Sequence, residues 1–146
     1  MEMVLFVGIQ ATGKSSFYLD RFFRTHVRIN LDMLKTRHRE DLLVKACLEG
    51  KTRFVVDKMN LTKAQRAAYI RPAKAVGFSV SGYFFQSELV PALQRNARRN
   101  AAERVPGAGL RAASAKLEMP ALDEGFDQLF LVRMDGKGGF FSVPLL

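Results

Sequence analysis

Gly8-Ile9-Gln10-Ala11-Thr12-Gly13-Lys14-Ser15, continued by Ser16, fits the pattern G-x-x-x-x-G-K-[ST]. No other stretch constrains the fold as tightly, because the pattern works only as a loop between a strand and a helix. Its glycines let the backbone wrap and turn N–H groups inward as an anion nest. Lys14 then reaches the β- and γ-phosphates of a nucleoside triphosphate, and the Ser15 hydroxyl ligates Mg²⁺. A helix starting near Lys14 adds its positive dipole end. A chance Gly/Ser turn would lack the flanking elements. Here Met3–Val7 is a continuous apolar run, as a buried parallel strand requires. Ser15–Arg24 holds no Gly or Pro and reads as a helix. Gly8, Gln10, Ala11, Thr12, Gly13, Lys14, Ser15 and Ser16 are therefore the expected nucleotide contacts, with ATP and Mg²⁺ as cofactors.

Strand and helix patterns alternate along the rest of the chain. Val27–Asn30 reads as a second strand and Leu31–Glu49 as one helix, with Leu42, Leu43, Ala46 and Cys47 as its apolar stripe. Phe54–Asp57 is a third strand. A helix from about Lys63 to Val76 follows, with Ala64, Ala67, Ala68 and Ala75 near one face and Pro72 placed to kink or end it. Phe78–Phe85 is a fourth strand and Glu88–Arg99 a helix, with Leu89, Val90, Leu93 and Ala97 inward. Arg104–Gly109 reads as a loop, Leu110–Leu117 as a short helix, Leu129–Val132 as a fifth strand and Phe140–Val143 as an edge strand. The pattern predicts an α/β domain over residues 1–146: a P-loop NTPase-type parallel sheet of about five strands, helices on both faces, and a short Arg-rich lid over about 95–111. Ligands of such sheets bind at the carboxyl ends of the strands.

Charge bears on the partner. Lys and Arg number 23 against 14 Asp and Glu, a formal charge of +9. A basic surface suits a polyanion such as nucleic acid, although a solvated basic surface gives the same count. No apolar run reaches membrane-spanning length, and Met1 leads directly into the first strand, which predicts no cleaved leader. Cys47 is the one cysteine, so neither an intrachain disulfide nor a cysteine metal cluster is expected. A reducing, cytoplasmic setting fits these features. His26 and His38 are isolated and read as surface residues rather than metal ligands.

Beyond the loop, four places carry chemistry. Asp32 lies just past the second strand; it suits a helix N-cap and equally a general base for a hydroxyl nucleophile. Lys35, three residues on, shares a helix face with it if the segment is helical, and Arg37 continues the basic stretch toward an acceptor. Asp57 ends the third strand, where a carboxylate holds Mg²⁺ directly or through water in the Walker B manner; Asn60 follows and either orients a loop or contacts the acceptor. Arg95 and Arg99, on one helix face beside a Gly/Pro loop, suit a lid that neutralises a transferring phosphoryl group. The bland alternative is a solvated basic face.

Together these pieces resemble the polynucleotide kinase branch of P-loop kinases, which move the ATP γ-phosphate to a nucleic-acid 5′-hydroxyl. The resemblance covers nearly the whole chain. It rests on the P-loop, Arg28-Ile29-Asn30-Leu31-Asp32, Val55-Val56-Asp57-Lys58-Met59-Asn60-Leu61-Thr62 with Arg66, Arg95-Asn96-Ala97-Arg98-Arg99, Val105-Pro106, and Met119-Pro120-Ala121-Leu122-Asp123-Glu124-Gly125-Phe126. It implies Lys14 and Ser15 on phosphate and metal, Asp32 as base, Arg99 as lid arginine and Arg95 as its neighbour at the nucleotide. Lys35, Arg37 and Arg66 would hold the strand's phosphates. Lys35 stands where the family often has an arginine, and Met59 replaces a usual threonine.

The expected activity is transfer of the ATP γ-phosphate to the 5′-hydroxyl of DNA or RNA. Two alternatives stand beside it: a kinase for a small hydroxyl-bearing metabolite, nucleoside or nucleotide sugar, and a non-catalytic ATP-binding module. A GTPase is disfavoured, since no Asn-Lys-x-Asp element occurs.

Overall fold

A computed structural model describes residues 1–145. β1 (Glu2–Val7), α1 (Lys14–Arg21), β2 (Val27–Ile29), α2 (Leu31–Leu34) and α3 (Arg37–Glu49) are followed by β3 (Phe54–Val56), α4 (Lys63–Ala75) and β4 (Ser79–Phe85). α5 (Leu89–Ala97), α6 (Gly107–Lys116), a 3-10 turn (Leu122–Glu124), β5 (Gln128–Met134) and β6 (Phe140–Pro144) complete the chain. The strands form one sheet in the order β2-β3-β1-β4-β5-β6. Five are parallel, and β6 returns antiparallel to β5. The expected α/β class with a mostly parallel sheet is observed.

β1 shows why helices cover both faces. Alternate side chains of a strand point to opposite sides. Met3 and Leu5 join a core with Cys47 of α3 and Ile70 and Ala73 of α4. Val4 and Phe6 face the other way, against Phe17, Tyr18 and Phe22. All of Met3–Val7 is fully buried, so the strand reads as an unbroken apolar run. A third cluster, Ile9, Leu61, Ala92, Leu110 and Ala113, packs α5 and α6 over the P-loop rim.

Several local expectations are corrected. The helix expected over 31–49 is two helices. Asn30 caps α2 through its side chain and Thr36 caps α3, with Lys35 between them at φ 76. Two N-caps in succession restart the helix, so Asp32 and Lys35 do not share a helical face. In α3 the inward stripe is Glu40, Leu43, Val44, Cys47 and Leu48, whereas Leu42 is exposed. In α4 the inward residues are Arg66, Ile70 and Ala73 rather than Ala64, Ala67, Ala68 and Ala75. Pro72 lies inside α4 without ending it, because it and Ala68, whose carbonyl loses its donor, are exposed to water. In α5, Ala92 and Asn96 are the fully buried positions, and Val90 is exposed. α6 begins at Gly107, inside the expected loop, with Pro106 as its N-cap. His26 is buried, held by Glu2 and Thr25 at the foot of Phe22.

Candidate nucleotide site

The P-loop joins the end of β1 to α1. Gly8 N donates to Met59 O at 2.9 Å and Ile9 N to Ser87 Oγ at 3.2 Å, anchoring the loop to the ends of β3 and β4. Ala11 and Gly13 have φ of 59 and 91. A Cβ at Gly13 would lie 2.6 Å from the Met134 methyl and 2.9 Å from the Phe140 ring, so only glycine fits both the angle and the space. Among the described residues, no protein acceptor meets the N–H groups of Gln10, Ala11, Thr12 or Gly13. No side chain caps α1 either. Free amides at an open helix N-terminus are the arrangement that an anion would suit. The Gln10 Oε1 atom is likewise buried without a partner.

Lys14 Nζ donates to the carbonyls of Gly8 at 3.0 Å and Ile9 at 2.5 Å. Loss of hydration is the main reason its ammonium titrates low, at about 8; the nearby Asp57 charge opposes the shift and the Arg99 charge adds to it. The lysine is thus short of anionic partners, which the phosphates of a nucleotide would supply.

Ser15 Oγ donates to Asp57 Oδ2 at 3.1 Å, which brings together the two expected metal ligands. Asp57 is buried. Arg28, for which no role was expected, bridges them: Nε donates to Asp57 Oδ2 at 2.9 Å and Nη2 to Ser15 Oγ at 2.9 Å. Its guanidinium also lies 5.8 Å from the centre of the Tyr18 ring. Alternation along β2 was the available signal, since Arg28 points opposite to buried Ile29.

Asp32 is exposed in the first turn of α2. Asn30, not Asp32, caps that helix, accepting from Met33 N at 2.9 Å and donating to Asp57 O at 2.9 Å. Asp32 makes no side-chain hydrogen bond or ion pair among the described residues. Lys35 and Arg37 are exposed beside it.

Of the two alternatives for Asn60 the loop-orienting one is observed, and Arg66 is structural instead of an acceptor contact. Asn60 is buried and donates to Phe6 O at 2.7 Å, fixing the turn after β3 at φ 47. Arg66 is fully buried; its Nε and Nη2 fork onto Glu124 at 2.8 and 3.1 Å, and Nη1 donates to the carbonyls of Asn60 and Leu61. With four of its five N–H groups engaged and no exposed surface, it cannot reach an acceptor phosphate.

Arg95 Nε donates to Ala11 O at 2.5 Å, placing α5 directly on the P-loop. Arg99 Nη1 donates to Glu103 O at 3.3 Å. The segment after α5 is tied down by Asn96, which exchanges two hydrogen bonds with the backbone of Val105. Sequence reading missed this buried side chain, whose polar atoms stand in for a short strand pairing.

Two cavities flank these residues. One of about 90 Å³ is lined by Thr12, Glu88 and Arg95. The other, of about 530 Å³, lies between α3 and α4 and is lined by Leu31, Arg37, Glu40, Lys58, Met59 and Tyr69. On its wall Lys58 donates to both Glu40 oxygens at 3.2 Å and to the Tyr69 hydroxyl at 2.7 Å, and Tyr69 bonds Glu40. Burial and the Glu40 carboxylate push the Tyr69 hydroxyl well above its usual range.

Among solved structures, Chaetomium thermophilum Kti12 in complex with ADP-AlF3 superposes with a TM-score of 0.68 at 17% identity, over 91% of this chain and 89% of that one. AvrRxo1-ORF1:AvrRxo1-ORF2 with sulphate ions gives 0.73 at 16% identity, over 97% of this chain but 57% of that one. Likeness at this identity shows a shared P-loop NTPase-type fold. No helix among the described residues is long and apolar enough to cross a membrane. The family model described as an AAA domain matches residues 34–120, which run from the end of α2 to Pro120 and make up more than half of the chain, so the protein belongs to that AAA-domain family.

Proposed function

We propose that this protein is an ATP- and Mg²⁺-dependent phosphotransferase acting on a hydroxyl, with the 5′-hydroxyl of a polynucleotide as acceptor. The reading is carried by one observation: Asn30 ties the start of α2 to Asp57 of the Ser15–Asp57 pair, and the first turn of that helix presents an exposed carboxylate, Asp32, that neither caps the helix nor joins an ion pair. A passive nucleotide switch has no use for that group. Asp32 takes the proton of the acceptor hydroxyl. The oxygen attacks the γ-phosphorus, the bond to the β–γ bridging oxygen breaks, and ADP leaves. Lys14 and Arg99 offset the charge on the transferring group, so catalysis is chiefly positioning and electrostatics.

Ser15 and Asp57 suit a hard cation, being an oxygen pair 3.1 Å apart that already holds a positive group. Mg²⁺ held there would neutralise phosphate charge. Lys35 and Arg37, exposed near Asp32, are the cations left for a strand's phosphates once Arg66 is withdrawn.

A second reading, a small hydroxyl-bearing acceptor such as a nucleoside or nucleotide sugar, is favoured by the 530 Å³ cavity, which is within the range of small-ligand sites. Incubation with γ-labelled ATP, Mg²⁺, 5′-hydroxyl DNA and RNA oligonucleotides, and a pool of nucleosides and nucleotide sugars separates the readings. Label in the oligonucleotide fraction is expected. Label only in the small-molecule fraction selects the second reading, and no label anywhere removes the phosphotransferase.

A further inference from the structure

The Ser15–Asp57 pair is expected to hold a divalent cation, yet in this chain a side chain of its own lies across it. The Arg28 guanidinium reaches Asp57 Oδ2 through Nε and Ser15 Oγ through Nη2, both at 2.9 Å. Asp57 is 2% exposed, and Arg28 is its one ion-pair partner among the described residues. A bare carboxylate there would be costly, so Arg28 satisfies it when no metal is present. Arg28 is itself only partly covered, about a quarter of its side chain being exposed, with one face toward Tyr18 and Nη1 near the Met33 sulfur. It therefore has solvent to swing into. Arg28 and Ser15 both bond Asp57 Oδ2, so a cation coordinated by Ser15 Oγ and that oxygen would meet the guanidinium's positive charge at close range.

We infer that Arg28 is a built-in competitor for the divalent cation: it neutralises Asp57 and opposes, by like charge, a cation coordinated at Ser15 Oγ and Asp57 Oδ2. It is a positioning residue, and it makes metal-free and metal-bound nucleotide bind with more nearly equal affinity than the ligand set alone would give. Part of the metal's binding energy goes into displacing two charge-assisted hydrogen bonds, which lowers its apparent affinity in the way any pre-equilibrium does. The inference rests on the proposed nucleotide site.

The test measures binding, not turnover. The full chain is titrated with a fluorescent ATP analogue, once with excess Mg²⁺ and once with EDTA, and the ratio of the two Kd values is compared between the wild type, Arg28→Met and Arg28→Gln. Arg28→Gln, which keeps a polar side chain but removes the charge and the guanidinium fork, serves if Arg28→Met does not fold. The EDTA-to-Mg²⁺ Kd ratio is expected to rise at least tenfold on substitution, mainly through tighter binding of the Mg²⁺ complex. A ratio that stays the same or falls, while nucleotide still binds, overturns the role of Arg28 alone. Failure of the wild type to bind nucleotide under either condition overturns the underlying site as well.

Discussion

The Arg95 side chain donates from Nε to the backbone carbonyl of Ala11 at 2.5 Å, across most of the chain length. Ala11 has a left-handed φ of 59, uncommon for a residue with a Cβ. Arg95 thus helps hold the strained point of the P-loop, with its own guanidinium half-buried and depressed in pKa by loss of hydration. A hydrogen bond to a charged group contributes about 1.5–3 kcal/mol, and 1.4 kcal/mol is about tenfold in affinity. Arg95→Ala is expected to weaken ATP and ADP by a similar factor, about tenfold or more, because the loop and not the γ-phosphate loses its support. Calorimetric titration with each nucleotide checks this; a loss confined to ATP would mean that Arg95 acts on the γ-phosphate instead.

Lys14 sets a pH dependence. Its ammonium titrates at about 8 in the free protein, below the ordinary lysine value of 10.5, chiefly through loss of hydration. Phosphates favour the charged form and raise that value in the complex. Binding therefore takes up a proton once the pH exceeds about 8, and nucleotide affinity should fall as pH rises from 8, by up to about tenfold per pH unit. The folding sign is opposite. The fold disfavours the charged lysine, so its contribution to stability improves between about 8 and 10.5. Titrations at pH 7, 8 and 9 test the first statement; a flat affinity would show that Lys14 stays charged without the nucleotide.

How much of this the chain spelled out depends on the kind of interaction. The P-loop was legible because its spacing is dictated by backbone geometry, and the buried run Met3–Val7 because a doubly covered strand is apolar throughout. Asp57 meeting Ser15 was legible from strand order at the rim. The break at Lys35 was not, since Asn30 and Thr36 announce themselves as caps only when each side chain is seen on its partner amide. Arg66 looked like a ligand because its partner, Glu124, is distant in sequence. The Glu124-Gly125-Phe126 stretch that reads as a family signature has a packing reason. Glu124 seals Arg66, Gly125 turns at φ 113, and Phe126 occupies the space where a Cβ on Gly82 would stand. Arg28 opens a stretch that carries the family resemblance, but neither that nor strand alternation announced its bridge between Ser15 and Asp57.

The Arg66–Glu124 pair yields a stability prediction. Both side chains are nearly sealed from solvent, at 0% and 8% exposure. Removing one partner of such a pair leaves an uncompensated charge and costs about 3–5 kcal/mol. Glu124→Gln keeps the shape and removes the charge, so Tm should fall by roughly 10 °C or more in a domain of this size. The double variant Arg66→Met/Glu124→Leu, which removes both charges, should be less destabilised than Arg66→Met alone. Thermal denaturation followed by circular dichroism decides it. An additive double variant would mean that the two side chains are not coupled.

On the proposed reaction, Asp32 and Arg99 fail in different ways. Asp32 makes no side-chain hydrogen bond among the described residues, so Asp32→Asn should leave Tm and nucleotide affinity nearly unchanged. Transfer to the acceptor should drop by 10²–10⁴, the usual range for a lost general base. Arg99 sits close enough to Lys14 for its charge to depress that ammonium. Arg99→Ala should therefore raise the Lys14 titration point while slowing transfer, two effects that a surface arginine would not produce together. Single-turnover rates with a labelled acceptor, measured beside the pH dependence of nucleotide affinity, separate them. Normal turnover in Asp32→Asn would take Asp32 out of the chemistry, and an unmoved pH profile in Arg99→Ala would place that guanidinium away from the phosphates.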